Sequence, residues 1–358
     1  MKPYLAILSS RFRTLLQYRT AALAGAGTQV FFGLLRVMIF DAFYRSSTAP
    51  QPMSSGQVTT YIWLGQAMMM LMMINVDPEI AAMVRTGSVA YEMNSFRLYC
   101  RYIEISFRAQ MQYRASFLVR TSAHFMVTGL EFLGLAAVFQ RFGQIRGWTL
   151  PQMAFFYGIV SMSFAAAEAV VRGFDIFSRL IKSGDFDRVL LRPRSTAFQI
   201  LGQELQLMRI GRFTQGALVL LWAAGRLDVE WTAAHVALLA FSVVGGACLF
   251  SGLFIVQAAI CFWTTESVEI VYCLTYGGVD TAQFPITIYR PWFRNLFTFV
   301  IPLATINYFP AHAIMNLQDT LGSSRSMQWA SPAAGVLFLL ACLRMWNFGV
   351  RRYTSTGS

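Results

Sequence analysis

Six charged side chains lie inside long apolar runs of the sequence, where a buried charge is costly. They are Arg36, Asp41, Arg120, Glu131, Glu168 and Arg172. Glu168 and Arg172 are four residues apart, so on a helix they would share a face and could pair. The competing interpretation is that this pair only stabilises the fold. Glu131 has no such neighbour, which favours a place along a polar path through the apolar region.

A basic segment at 179–195 is the second place where the residue types suggest a function. A glycine near its start and a Leu-Leu-x-Pro sequence near its end are typical of a short helix broken at both ends. Such a helix could present Leu190 and Leu191 to a groove on a soluble partner, with Arg188 and Arg192 at the rim. A solvated basic loop would look similar, and that alternative stays open. The residues singled out here are Lys182, Ser183, Gly184, Asp187, Arg188, Leu190, Leu191, Arg192 and Pro193.

The sequence contains none of the short motifs that carry nucleotide, acyl-transfer or metal chemistry. It has no G-x-x-x-x-G-K-[ST] loop to hold phosphates and no H-E-x-x-H pair. Its five cysteines and three histidines are scattered without ligand spacing, which favours packing roles for them. We therefore predict no catalytic residue, no metal site and no cofactor bound by this chain.

The composition predicts a membrane protein. The chain is 56% hydrophobic and 13% charged, and its mean hydropathy is +0.50, whereas soluble domains average about 25% charged residues. A net charge of +12 could indicate nucleic acid binding. The arginines, however, fall in short clusters between apolar runs, as in the cytoplasmic loops of membrane proteins. The predicted surroundings are therefore lipid, with no nucleic acid partner.

Eight stretches are apolar over roughly the 20 residues that cross a bilayer as a helix. They lie at 21–43, 58–76, 116–140, 151–172, 208–225, 232–262, 295–314 and 330–348. The predicted fold class is an all-α membrane protein, a polytopic bundle of about eight transmembrane helices.

The distribution of Lys and Arg predicts how these helices are oriented. With the N-terminus inside, the basic residues of the outer loops are Arg45, Arg141, Arg146, Arg226 and Arg325. Almost all the others fall on the inner side, including Arg290 and Arg294. Because cytoplasmic loops carry an excess of Lys and Arg, both termini are predicted to face the cytoplasm.

Three stretches are predicted to lie on the inner membrane surface as amphipathic helices. Residues 1–19 and 94–114 mix aromatic and aliphatic side chains with arginine, the composition of an interfacial helix. A shorter stretch at 264–276 is the third. In the second of these helices the marked residues are Phe107, Arg108, Gln112, Tyr113 and Arg114.

Residues 1–92 and 93–358 are predicted to be unequal copies of one unit. The sequence Gln-Tyr-Arg at 17–19 recurs at 112–114, and each copy is followed at once by a long apolar run. The first copy stops after two predicted spans, whereas the second continues to six. We interpret residues 1–92 as the truncated start of one unit joined to a complete second unit. An ordinary internal duplication is the alternative.

Residues 93–358 resemble the ABC type-2 permease family, which includes drug and polysaccharide exporters. The resemblance rests on the loop in which Gly184 is followed by Leu-Leu-x-Pro, and on the stretches Phe-Thr-Phe-Val-Ile-Pro at 297–302 and Asn-Tyr-Phe-Pro-Ala at 307–311. Residues 1–92 look like the start of a sister permease of the same family.

The resemblance implies a six-span permease that pairs with a second permease, sister or self, and with a separate ABC ATPase subunit that binds the ATP. In that family the loop after the second span takes up motion from the ATPase. This would make 182–193 the ATPase-coupling loop and 94–114 an interfacial helix that also touches the ATPase. Glu131, Glu168 and Arg172 would then line the translocation path.

The predicted function is therefore the membrane-spanning permease subunit of an ABC exporter in a bacterial inner membrane, not an enzyme. Its remaining partners would be membrane lipid and an exported substrate that the sequence does not identify. Two alternatives stay open at this point: a membrane-embedded enzyme that modifies lipids or glycans, and a permease fusion that inserts without transporting.

Overall fold

A computed structural model describes residues 19–46, 53–71, 95–192, 194–264, 268–319 and 321–354. The predicted interfacial helix at 1–19 lies almost wholly outside these residues. Pro193, at the end of the predicted coupling loop, also lies outside them.

The described residues form helices without any β-strand, as the sequence predicts. In chain order the helices are α1 (Arg19–Ser46), α2 (Ser55–Leu71), α3 (Ser95–Gln112), α4 (Arg114–Phe142), α5 (Leu150–Asp175), α6 (Phe177–Lys182), α7 (Phe186–Leu190), α8 (Thr196–Leu201), α9 (Ile210–Ala224), α10 (Ala233–Ile260), α11 (Val268–Ala282), α12 (Pro291–Asn295), α13 (Tyr308–Met315), α14 (Arg325–Ala330) and α15 (Ala333–Arg352).

The core of the bundle is α5, whose residues from Met153 to Val160 are all buried. It packs against α9 and α10, and α10 packs in turn against α15. Four described helical stretches are long and apolar enough to cross a membrane, or five if one bent pair counts as a span. The four are 114–142, 150–182, 233–260 and 333–352, and each coincides with a predicted span. The total of about eight spans and the cytoplasmic position of both termini remain predictions.

The bundle has two ends, which the direction of α5 defines. One carries the connection 143–149 before α5, and the other carries α7 after it. At the α7 end, Tyr353 beyond α15 packs on Phe186, with ring centroids 5.0 Å apart. We call these the 143–149 end and the α7 end.

The predicted span at 295–314 is not one continuous helix, because the chain bends there. The stretches Pro291–Val300 and Leu303–Met315 are bent by 69° at a short break. Just before them, Thr287 accepts a hydrogen bond from Arg146 of the 143–149 connection at 3.0 Å. In the second stretch, His312 packs on Trp148 of the same connection at 5.5 Å. Both sides of the bend therefore contact the 143–149 end, as in a re-entrant pair.

Residues 268–276 of the third predicted surface helix belong to α11. Just before it, Trp263 stacks on Phe348 of α15 near the α7 end, and beyond it Thr287 contacts the 143–149 end. It thus runs between the two ends, with Thr275 and Thr281 fully buried, and does not lie on a surface. Arg290 follows it and lines a small cavity with Tyr44. Because Thr287 contacts Arg146 at the 143–149 end, the predictions that Arg290 lies on the inner side and Arg146 on the outer side cannot both hold.

Candidate functional site

The segment after α6, residues 183–191, projects two leucines from the surface at the α7 end, and we call it the α7 segment. Leu191 is 84% exposed and Leu190 is 41% exposed. The turn before α7 needs Gly184, which has a φ of 70°, a region that glycine enters without steric cost. Ser183 donates a hydrogen bond to Asp185 at 2.7 Å, and Asp185 lies 3.5 Å from Arg188. The exposed leucines are thus held on a defined turn with an arginine beside them.

The other side of α7 is anchored in an aromatic cluster. Phe186 is fully buried and packs against Phe177 at 5.1 Å and against Phe262 at 5.4 Å. Trp346 of α15 closes the cluster 4.8 Å from Phe177. Since large aromatic side chains contribute most of the burial in such clusters, α7 is tied to α6, to the end of α10 and to α15.

Helix α8 connects α7 to α3. The buried side chain of Gln199 donates hydrogen bonds to the carbonyls of Val189 at 3.1 Å and Arg194 at 2.9 Å. On the other side of α8, Phe198 packs against the rings of Tyr99 and Tyr102 in α3. One short helix therefore contacts both the α7 region and α3.

Helix α3 also holds the chain that leads into α9. The side-chain amide of Gln110 donates to the carbonyl of Leu205 at 2.7 Å and accepts from the N–H of Leu207 at 3.2 Å. Among the residues marked in the sequence, Phe107 and Gln112 are exposed, Arg108 pairs with Glu104, and Tyr113 and Arg114 stand at the junction between α3 and α4. Gln110, which the sequence did not mark, makes the contact.

A network of charged side chains is buried where α5, α9 and α10 meet. Glu168 is 3% exposed, and its carboxylate lies 3.1 Å from the guanidinium of Arg209. The hydroxyl of Tyr276 donates to the same oxygen at 3.5 Å. Arg209 also donates to Gln206 at 3.0 Å, and Gln206 donates its N–H to the carbonyl of Ala169 at 3.1 Å.

The predicted pairing of Glu168 with Arg172 is wrong. Arg172 pairs with Asp175 and lies 3.9 Å from Glu204, while Glu168 pairs with Arg209. The cause is a break in α5 at Val171, whose φ of −101° and ψ of 17° are not helical. A residue four positions along is on the same face only when the helix between is regular.

The network reaches α10 through Asp175. Gln257 of α10 donates its side-chain amide to Asp175 at 3.1 Å. One carboxylate oxygen of Glu168, Oε2, is buried without a hydrogen-bond partner among the described residues. A buried acceptor without a partner is costly.

Glu131 does not join this network. It lies on the exposed side of α4 and forms no ion pair with any described residue. Sequence reasoning missed Arg209 and Asp175, which complete the network. Arg209 was visible only as a basic residue at the start of the predicted span at 208–225, and its partner 41 residues earlier could not be read from spacing.

Comparison with protein families places this geometry in a known context. Residues 125–357 match the model of the family described as ABC-2 family transporter protein. The chain belongs to the ABC-2 transporter family. No curated protein and no solved structure matches this chain.

Membership of the ABC-2 family makes the chain a multi-pass membrane component of an ABC transporter, that is, a permease subunit. The match covers α5 to α15 and most of α4. It includes the α7 segment and every residue of the buried network. The division of the chain at residue 92 lies outside the match and remains a prediction.

Proposed function

We propose that this chain is the permease subunit of an ATP-driven exporter and that its α7 segment is the docking surface for a separate cytoplasmic ABC ATPase. ATP would be bound by that partner. The observation that carries the proposal is the exposure of Leu190 and Leu191 on a helix whose other side is fixed in an aromatic cluster. A leucine pair left in water on a rigid support is suited to a groove on another protein.

The same arrangement suggests how ATPase movement would reach the membrane. A displacement of α7 would move α8 through Gln199, and α8 would move α3 through its contacts with Tyr99 and Tyr102. Gln110 would then shift the chain that carries Arg209, the partner of Glu168. The buried network is therefore the proposed point at which the spans change their packing and open a path.

The proposal places the α7 end of the bundle at the cytoplasmic face of a bacterial inner membrane. A second permease, sister or self, completes the path in this account, and membrane lipid surrounds it. The exported substrate is not specified by these residues. We propose that Glu168 and Arg172 line the path. Glu131, on the exposed side of α4, is the third proposed lining residue.

The test is co-purification of the ATPase with the full-length chain. The tagged chain is extracted in a mild detergent, and the bound proteins are identified by mass spectrometry. We expect a P-loop ATPase with the wild type and its loss with Leu191→Asp, because an aspartate would be desolvated in an apolar groove. Membrane insertion should be unchanged.

The matched control is Met327→Asp, which places the same charge at an exposed apolar position of α14, away from the α7 segment. This variant should retain the ATPase. Equal recovery of the ATPase with Leu191→Asp would contradict the docking assignment. Absence of any ATPase from the wild type would contradict the exporter itself.

A further inference from the structure

A small cavity at the end of α1 is lined by two arginines from distant parts of the sequence. Its volume is about 160 Å³, and both Arg45 of α1 and Arg290, just before α12, line it. The ring of Tyr44, beside Arg45, packs 5.4 Å from the ring of Phe142, the last residue of α4. The cavity therefore lies at the 143–149 end of the bundle.

The walls of the cavity are fixed by contacts between α1 and α2. The hydroxyl of Tyr44 donates a hydrogen bond to the carbonyl of Met53, just before α2, at 2.8 Å. At Gly33 of α1 an added Cβ would lie 2.5 Å from a ring carbon of Trp63 in α2, so a glycine is needed there for this close approach. The two helices thus hold the cavity open between them without help from a ligand.

The charged groups that line the cavity do not cancel. The carboxylate of Asp41 lies 3.0 Å from the guanidinium of Arg45, so these two charges offset each other. Among the residues that the structure describes, Arg290 has no ion-pair partner. Two arginines and one aspartate leave the lining with a net charge of +1. Such an excess of positive charge attracts an anion.

The size and the donors of the cavity suit a phosphate group. A guanidinium presents paired N–H donors that match two phosphate oxygens, and the oxygens of one phosphate can accept from Arg45 and Arg290 at once. Since a water molecule takes up about 30 Å³ of liquid, a cavity of about 160 Å³ has room for about five waters or for one phosphate in their place. A phosphodiester carries a single negative charge, which equals the excess at the lining.

The apolar part of the lining favours a phosphate that is attached to a lipid. Val37 and Phe40 of α1 and Val58 of α2 line the same cavity as the two arginines. An end of a membrane-spanning bundle lies at the depth of the headgroups, and basic pockets between transmembrane helices bind phospholipid headgroups. Free phosphate would leave these apolar side chains without a contact.

We propose that this cavity binds one phosphate group and that a membrane phospholipid with a net negative charge carries it. Arg45 and Arg290 hold the phosphate oxygens, and the apolar side chains contact the lipid next to the phosphate. Asp41 keeps the net charge of the lining at one, so that the site suits a phosphodiester. The proposal is independent of the ATPase and of the direction of transport.

The test is native mass spectrometry of the full-length chain released from micelles of an uncharged detergent. The chain is titrated with phosphatidylglycerol in one series and with inorganic phosphate in another, and the masses of the adducts distinguish the two sources. We expect a first adduct with one phosphatidylglycerol. Arg290→Gln should weaken this adduct about tenfold, because a hydrogen bond between two charged groups is lost. An adduct with inorganic phosphate alone would overturn the assignment to a lipid, and no adduct in either series would overturn the site.

Two further variants separate the charge of the cavity from general charge and from loss of folding. Arg294→Gln removes the same charge one turn further along α12, outside the cavity lining, and should bind phosphatidylglycerol like the wild type. Asp41→Asn raises the net charge of the lining by one and should tighten the first adduct, a gain that unfolding cannot produce. Equal weakening by Arg290→Gln and Arg294→Gln would overturn the proposal, as would weaker binding by Asp41→Asn.

Discussion

The α7 segment and the buried network distribute their side chains in opposite ways. The α7 segment leaves two leucines exposed above a buried aromatic cluster, whereas the network encloses Glu168 and Arg209 among apolar helices. Exposed leucines add little to folding, and the proposed ATPase partner would account for their position. Buried ion pairs hold helices together only while both members remain. In the proposed account, one region serves association with the ATPase and the other serves the packing of the spans.

Glu168→Ala should have the largest effect on stability, because it leaves Arg209 buried without its partner. Removing one member of a buried pair costs about 3–5 kcal/mol. The measurement is thermal unfolding in detergent, followed by fluorescence-detected gel filtration. Glu168→Met combined with Arg209→Met removes both charges and should lose much less stability. If the single variant were as stable as the double variant, the network would not hold the spans.

Gln110→Ala should have an intermediate effect, since it removes both hydrogen bonds between α3 and the chain before α9. Leaving the Leu207 N–H and the Leu205 carbonyl without this partner should cost about 1–3 kcal/mol. ATPase stimulation should fall as well, because the proposed link from α3 to Arg209 is lost. Gln112→Ala, two residues along and exposed, is the control. Equal loss in both variants would argue against Gln110 as the link.

The carboxylate of Asp319, at the 143–149 end, should make a smaller contribution to stability that depends on pH. Burial alone would raise the pKa of this carboxyl, but hydrogen bonds from Ser323, Leu321 and Tyr308 outweigh it and hold the pKa below its ordinary value of 3.8. The ionised group therefore contributes stability above that value, and the contribution is lost as the pH falls through the folded-state pKa.

Asp319→Asn removes this titration and should cost about 1 kcal/mol near neutral pH. Unfolding of the wild type and of the variant is compared between neutral pH and the acid limit of folding. The two should converge in acid. A constant difference across the whole range would show that the carboxylate charge is not what the loop 316–324 depends on.

Leu191→Asp should have the smallest effect on stability, within about 0.5 kcal/mol, as for an exposed surface position. Its thermal unfolding should match that of the wild type while its ATPase association is lost. A strongly destabilised Leu191→Asp would remove the contrast between the two regions, because the leucine would then belong to the fold.

Much of the fold could be predicted from the sequence, because long apolar stretches have few alternatives in lipid. The stretches behind α4, α5, α10 and α15 are of this kind. The stretch at 295–314 is equally apolar, yet composition does not distinguish a crossing from a re-entrant pair. That distinction depends on the contacts with Trp148 and Arg146, which join distant parts of the chain.

The candidate site was predictable to the extent that it is local. The α7 segment is contained in a short run of sequence, so its turn, leucines and arginines could be read from order alone. The buried network is not local. Helical spacing in α5 suggested that Glu168 pairs with a residue four positions away. Because α5 is broken at Val171, Glu168 pairs with Arg209 instead, and no periodic pattern connects Arg209 to α5.

The most direct test of the central claim is photo-cross-linking in intact cells. A photoreactive amino acid is placed at position 191 in one chain and at position 327 in another, and the adducts are identified by mass spectrometry. The account predicts a covalent product with a P-loop ATPase from position 191 and none from position 327. No ATPase adduct at position 191, or equal adducts at both, would contradict the assignment of the α7 segment as the ATPase docking surface.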